Sequence, residues 1–300
     1  MLFRFREADG TVEAGLRRIA GEQIDEALAA IRSQELPVER VVHEVRRRCK
    51  AVRGLIRLVR PAFPAFEKEN AAFREIGGAL AAARDSKVLV DTLDGLIGDE
   101  EDALDPRLLH LLRKRLGPPS EKGRPLRQIL RQCEEELVAA RVRAATWTLR
   151  ADGWSALGDG FEKTLRAAHH AMKRAVRSGQ VEASHAWRKQ VKYHWYHVRV
   201  LRGIAAGAAE ERSKAMEKLG ELLGERHDLD LLAEMLHARQ PRGSHAETID
   251  QLTAQARKRA ARLEDKARRL GEKLFDEKPR KVAAKWGERW ENRAREEEPA

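Results

Sequence analysis

The sequence predicts an all-α protein built as two antiparallel helical bundles related by internal duplication, packed around a basic central cavity. Three observations carry this. Ala, Leu, Arg, Glu and Lys dominate, and no stretch alternates apolar with polar residues as a half-buried strand does. Apolar residues recur at helical spacing in one segment after another. Motifs repeat at a common offset: His43 and His185 lie 142 residues apart, and Asp85 and Asp228 lie 143 apart. The expected units are residues 1–150 and 151–300, the second with a frayed C-terminus from Arg293 to Ala300.

Start and stop signals place the elements. A first helix is expected from Val12 to Ser33, and a second from Pro37 to Arg60, stopped by Pro61 and Pro64. Helices at Glu67 to Arg84 and Lys87 to Leu96 precede an acidic loop, Gly98 to Asp105. Pro106 to Leu116 reads as a helix ended by Gly117-Pro118-Pro119, and Leu126 to Leu149 as a longer one. Three glycines between Asp152 and Gly160 mark the main boundary. Beyond it, helices are expected at Phe161–Ser178, Val181–Arg202, Ala208–Leu223, Leu229–Arg239 and Glu247–Glu277, with a break at Pro241-Arg242-Gly243.

The 300 residues hold 59 Lys and Arg against 48 Asp and Glu, a formal charge of +11, which favours an anionic partner. A hydrophobic fraction of 42% is enough for packed cores and excludes a disordered composition. Cys49 and Cys133 belong to no Cys-x-x-Cys motif, so a disulfide framework is not expected and a reducing cytosol fits. No apolar run of membrane-spanning length occurs, and the N-terminus lacks the apolar stretch of a signal peptide.

The charge is patterned. In the second helix Val45, Cys49, Val52, Ile56 and Val59 form an apolar stripe at about 100° per residue. His43, Arg46, Arg47, Lys50, Arg53 and Arg57 share a separate arc that contains no acid. In the second half His185, Arg188, Lys189, Lys192, Tyr196 and Arg199 share an arc, with Trp187, Val191 and Val198 on another face, and the first four repeat the spacing that begins at His43. A third helix carries Lys163, Arg166, His170, Lys173 and Arg177 on one face and Phe161, Leu165, Met172 and Val176 on the other. Cations stacked at i, i+3, i+4 and i+7 repel one another, so an external anion is the expected compensation. A solvated charged face is the plainer alternative, but surface helices normally mix signs.

His43-x-x-Arg46-Arg47-x-x-Lys50-x-x-Arg53, Ala83-Arg84-Asp85, His185-x-x-Arg188-Lys189-x-x-Lys192-x-x-x-Tyr196, Gly224-x-x-His227-Asp228 and the ending Leu274-Phe275 … Pro279 … Trp286 together resemble the CHAD family over nearly the whole chain. The resemblance implies two four-helix bundles and non-catalytic binding of inorganic polyphosphate, with cytoplasmic localisation at polyphosphate granules. It implies Arg84 among the binding residues, and Asp85, His227 and Asp228 as groups that orient the cations. Trp195 is a departure, because the family often has a basic residue just before the tyrosine, and one phosphate contact is expected to be weaker for it. Polyphosphate has no base to read, so recognition rests on Arg forks and Lys point charges along the polymer.

Two rival readings follow from the same residues. His227-Asp228 is the dyad of HD-type metal-dependent phosphohydrolases, and His194 and His197, at i and i+3, could share a metal. A nucleic-acid binder would also use basic faces, although aromatic content is only 5% and no RNA-recognition or zinc-finger signature occurs. No Walker A, Gly-x-Ser-x-Gly or Glu-x-Glu-x-Lys motif is present, so no catalytic apparatus, metal or cofactor is expected. Asp85 and Asp228 each precede an apolar run, and a helix N-cap is their alternative role.

Overall fold

A computed structural model describes residues 3–98, 104–117, 125–203, 208–238 and 245–296, apart from the side chains of residues 83–85, 208 and 294–296. Among the described residues every regular element is helical. A one-turn 3-10 helix (Glu7–Asp9) precedes α1 (Val12–Arg32), α2 (Val38–Leu58), α3 (Phe66–Ala79), α4 (Ala81–Ile97), α5 (Pro106–Leu116) and α6 (Leu126–Ala144). Then come α7 (Gly153–Ser178), α8 (Val181–Leu201), α9 (Ala208–Ala238), α10 (Ala246–Leu274) and α11 (Pro279–Glu296). No helix among the described residues is long and apolar enough to cross a membrane.

Several ends follow local chemistry. The Thr11 hydroxyl accepts a hydrogen bond from Ala14 N at 3.0 Å and caps α1. Asp105 caps α5, with Pro106 in the first helical position. Gly179, at φ 62, closes α7 in the left-handed conformation.

Elsewhere tertiary contacts override the expected boundaries. The glycines of 153–160 lie within α7 instead of forming a loop. A methyl group at Gly160 would overlap the Leu58 carbonyl oxygen, so this glycine serves close approach of α7 to α2 and not a turn. α9 is unbroken through Gly224, where a break was expected, and Asp228 therefore lies inside a helix and is no N-cap. Asp85 is likewise inside α4, whose start at Ala81 replaces the expected start at Lys87; the break falls at the buried Leu80. α6 stops at Ala144 because the next residues are bound elsewhere: Trp147 packs on Phe63 at 5.1 Å, and Leu149 N donates to Glu13 Oε2 at 2.7 Å. α11 was not expected; Val282, Ala283 and Trp286 bury its inner face and it runs to Glu296, while the rest of the stretch expected to fray lies outside the described residues.

The main core is continuous from Val12 of α1 to Trp286 of α11 and includes Leu55 of α2, Phe161 of α7, Trp187 of α8 and Met216 of α9. A smaller core joins α4 and α5 to the end of α9 and the start of α10, through Leu93, Leu112, Leu232 and Ile249. Cys49 and Cys133 are free and buried. Asp152 reaches away from its own helix, and its Oδ1 accepts from Val12 N at 2.7 Å. Phe5 N donates to Val200 O at 3.1 Å.

Gly160→Ala should lower the unfolding free energy by about 3 kcal/mol or more, because backbone rather than a side-chain tip blocks the new methyl group. Gly95→Ala in α4 meets nothing within 4 Å and should raise it by about 0.5–1 kcal/mol. Urea unfolding of the two variants, followed by circular dichroism, measures both.

Candidate anion-binding site

α2 and α8 cross at Gly54, where a methyl group would stand 2.7 Å from Tyr196 Cβ. His197, wholly buried, donates from Nε2 to Gly54 O at 3.1 Å, which fixes its tautomer. Farther along, Arg57 meets Tyr193 and shares a cleft with Gln190, so the chain directions of the two helices oppose. Two groups of cations lie on these helices, one on each.

The first group belongs to the C-terminal half of α2. Arg53 Nε donates to Asn70 Oδ1 at 3.1 Å, and a terminal nitrogen donates to the Tyr193 hydroxyl at 3.3 Å. The Arg57 guanidinium lies 4.2 Å from the centre of the Tyr193 ring and 5.4 Å from that of Phe66. Burial lowers its pKa, against an opposing pull from Tyr193. Arg57, Arg60 and Lys163 line one cleft of about 490 Å³ between α2, α7 and α8.

The second group lies where α8 faces α9. A methyl group at Gly220 would stand 3.1 Å from Lys192 Cε, and one at Gly224 would stand 3.6 Å from Arg188 Nε. These two glycines leave the groove in which both side chains lie. Lys192 Nζ is 4.8 Å and the Arg199 guanidinium 4.6 Å from the Trp195 ring, so the residue that departs from the family pattern holds two cations. Burial first, and like-charged neighbours after it, lower the pKa of Lys192; burial also lowers that of Arg199. The rings of His185 and His227 are 4.6 Å apart. Burial, then Arg188 and then His185, hold His227 down to about 4.

Among the described residues, Arg53, Arg57, Arg188, Lys192 and Arg199 have no carboxylate at ion-pair distance. Arg57 Nε and Arg188 Nε are buried without a hydrogen-bond acceptor. The remaining cations differ. Arg47 pairs with Glu44 at 2.6 Å, Lys163 contacts Asp159 at 4.0 Å, and Arg166 pairs with Glu162. The α2 arc itself holds no acid, but the expectation that its cations stay unneutralised fails at Arg47, and on α7 at Lys163 and Arg166, because long side chains reach acids one helical turn away. On α7, Val176 was expected on the apolar face but is 44% exposed.

The other expected residues are distributed as follows. Arg46 donates to Gly77 O at 2.5 Å, and Lys50 is exposed. His43 lines a different cavity, of about 560 Å³, with Lys87, Asp91 and Arg113. It stands about 21 Å along α2 from Arg57. His170, Lys173, Arg177 and Lys189 are exposed. Tyr196 is buried against Gly54 and Phe3, and burial pushes its hydroxyl up to about 12. The side chains of Arg84 and Asp85 lie outside the described residues.

The histidines expected as metal ligands part company. His194 Nε2 faces Arg212 at 3.4 Å while His197 faces Gly54. His227 turns towards His185, whereas Asp228 lines a separate cavity of about 140 Å³ with Asp91 and Arg259. Among the described residues no three His, Cys, Asp or Glu side chains gather as a metal would require. Sequence reasoning missed Tyr193, Trp195 and Asn70 as partners of the cations. The aromatic spacing within α8 was the available signal.

A family model for the CHAD domain matches residues 22–237, from within α1 to the end of α9. The chain belongs to the CHAD family. PptA from Streptomyces chartreusis is similar in structure, with a TM-score of 0.60 and 17% identity over 87% of this chain and 98% of that one. At that identity the likeness bears on the fold alone. No curated protein matches the sequence.

The buried histidines of this CHAD chain give a pH dependence of known sign. Burial holds His227 to about 4, His197 to about 3 and His194 well below 6.5, so each stays neutral in the folded state. Unfolded histidines gain protons first, so stability is full above about pH 6.5 and is lost as pH falls towards about 4. Asp230, raised by burial to about 6, opposes this over part of the window. Thermal unfolding midpoints should fall across that window, and His227→Gln should flatten the slope; an unchanged slope contradicts the assignment.

Proposed function

We propose that this CHAD protein binds inorganic polyphosphate, without catalysis, along the cationic groups carried by the crossing helices α2 and α8. The observation that carries the reading is five half-buried cations, Arg53, Arg57, Arg188, Lys192 and Arg199, that have no carboxylate partner among the described residues. Removing a cation from water costs free energy that surface pairing would normally offset. Here aromatic rings and amide oxygens hold the side chains in place and leave their charge unneutralised. A linear polyanion supplies the missing charge at several points at once.

The remaining parts of the reading follow from it. His43, Arg46, Arg47, Lys50, Lys163, Arg166, His170, Lys173, Arg177, His185, Lys189 and Tyr196 extend or support the binding surface, and Asp228 and His227 orient its cations. The two halves of the chain are repeats whose basic helices, α2 and α8, line a common cavity. The protein acts in the cytoplasm, where it targets or regulates polyphosphate granules. Nucleic acid fits less well. The rings beside the cations, Trp195, Tyr193 and Phe66, are at most 9% exposed and present no open face to a base.

Long polyphosphate should bind at micromolar concentration or tighter, and affinity should fall steeply with salt. Charge-assisted contacts contribute roughly 1.5–3 kcal/mol each, so Arg53→Gln, Arg188→Gln and Lys192→Gln combined should weaken binding by more than about 100-fold. Calorimetric titration with matched circular dichroism tests this. Unchanged affinity in a folded triple variant overturns the site. Displacement of polyphosphate by RNA or DNA at equal phosphate concentration favours the nucleic-acid reading.

A further inference from the structure

α10 presents a second cationic surface. Its inner face, with Leu252, Ala256, Ala260, Leu263 and Ala267, is buried, and the helix packs against α9, α7 and α4. At about 100° per residue, Lys258, Arg262, Lys266, Arg269 and Lys273 fall within an arc of about 80°, roughly 130° from the buried face. All five are exposed. The nearest acid, Asp265, sits at the edge and pairs with Arg268 at 2.9 Å and Arg269 at 3.0 Å. Lys258, Arg262, Lys266 and Lys273 have no ion-pair partner among the described residues. They extend over about 22 Å of helix.

This surface is separate from the α2–α8 site. At Gly271 the inner face of α10 meets Met172 and Trp187. Trp187 points about 140° away from Lys192 around α8. Packed core therefore lies between the two sets of cations. The family match ends at residue 237, before α10 begins, so the surface lies beyond the matched domain.

We infer that the exposed face of α10 is a second polyanion-binding surface and that its occupant is a polyphosphate chain, so that one molecule grips two strands. This rests on the function proposed above and extends it from binding to cross-bridging. The chemistry of the face selects the occupant. α10 contains no aromatic residue on which a base could stack. None of its residues is among the exposed large apolar side chains that insertion into a lipid surface needs. Charge and hydrogen-bond donors are what it offers, and those suit a flexible chain of phosphates. Two surfaces on opposite sides of one core hold two segments simultaneously, which raises the local concentration of each for neighbouring molecules.

The test uses the full chain and a variant with Lys258→Gln, Arg262→Gln, Lys266→Gln and Lys273→Gln. Light scattering with long polyphosphate should show large cross-linked particles for the parent chain and at least tenfold less scattering for the variant. Short polyphosphate, measured by calorimetry, should bind the parent at two sites and the variant at one, with the affinity of that one changed less than twofold. Two sites in the variant, or a single site in the parent, overturns the inference and leaves the α2–α8 site standing. If Arg53→Gln, Arg188→Gln and Lys192→Gln combined leave both sites intact, the α2–α8 reading fails and the α10 surface is judged by its own variant. Duplex DNA that displaces polyphosphate from the α10 surface at equal phosphate concentration overturns the choice of occupant.

Discussion

The absence of a side chain at Gly54 is the constraint on which the rest of the site depends. It lets Tyr196 sit against the backbone of α2 and lets His197 reach the Gly54 carbonyl. Gly160 does the same for α7 at the end of α2. With three helices this close, the cations on their flanks lose much of their water before any ligand arrives. That loss is visible in Arg57, Lys192 and Arg199, all three held below the usual range for their type by burial. Side chains held in this way are preorganised, since they rest on Tyr193, Phe66, Trp195 and Phe3 instead of sweeping through solvent.

The division of labour among the cations is electrostatic. Arg47 and Arg166 have carboxylates within a turn and behave as ordinary surface ion pairs, which contribute little and are readily exchanged. Arg188 and Lys192 lie over glycines of α9 and have no such partner among the described residues. Arg226, next to His227 in the chain, is instead tied to Asp230 and Glu264 at 3.2 and 3.4 Å, so the acids beneath this part of α9 are already engaged. The pairing pattern, and not the number of positive residues, sets these cations apart from solvated ones.

Much of this was legible in the sequence. The helical periodicity of α2 and α8 and the cations on their flanks follow from spacing alone, and Asp105-Pro106 announces α5. Three kinds of information were not legible. The glycines at 153, 158 and 160 read as a turn because local propensity cannot reveal that a neighbouring helix needs the space at Gly160. The acids that neutralise Arg47 and Arg166 lie outside the drawn arcs but within reach of a long side chain. Trp195 read as a lost phosphate contact because sequence does not show that its ring supports Lys192 and Arg199. The exposed face of α10 was readable by the same periodicity, but it carries none of the motif spacing that drew attention to the other arcs.

The continuity of the main core has a consequence for how the chain reaches its native state. The apolar stripe of α2 is completed by α7 and α8, more than 100 residues downstream, and α1 begins with a hydrogen bond to Asp152. During synthesis, the first helices leave the ribosome long before the surfaces that cover them exist. Such long loops must close before the contacts reward them, which slows folding and leaves sticky surface open to neighbours. The α2–α8 crossing therefore cannot form until α8 has been made, and until then the arginines and lysines of α2 face water as ordinary surface residues.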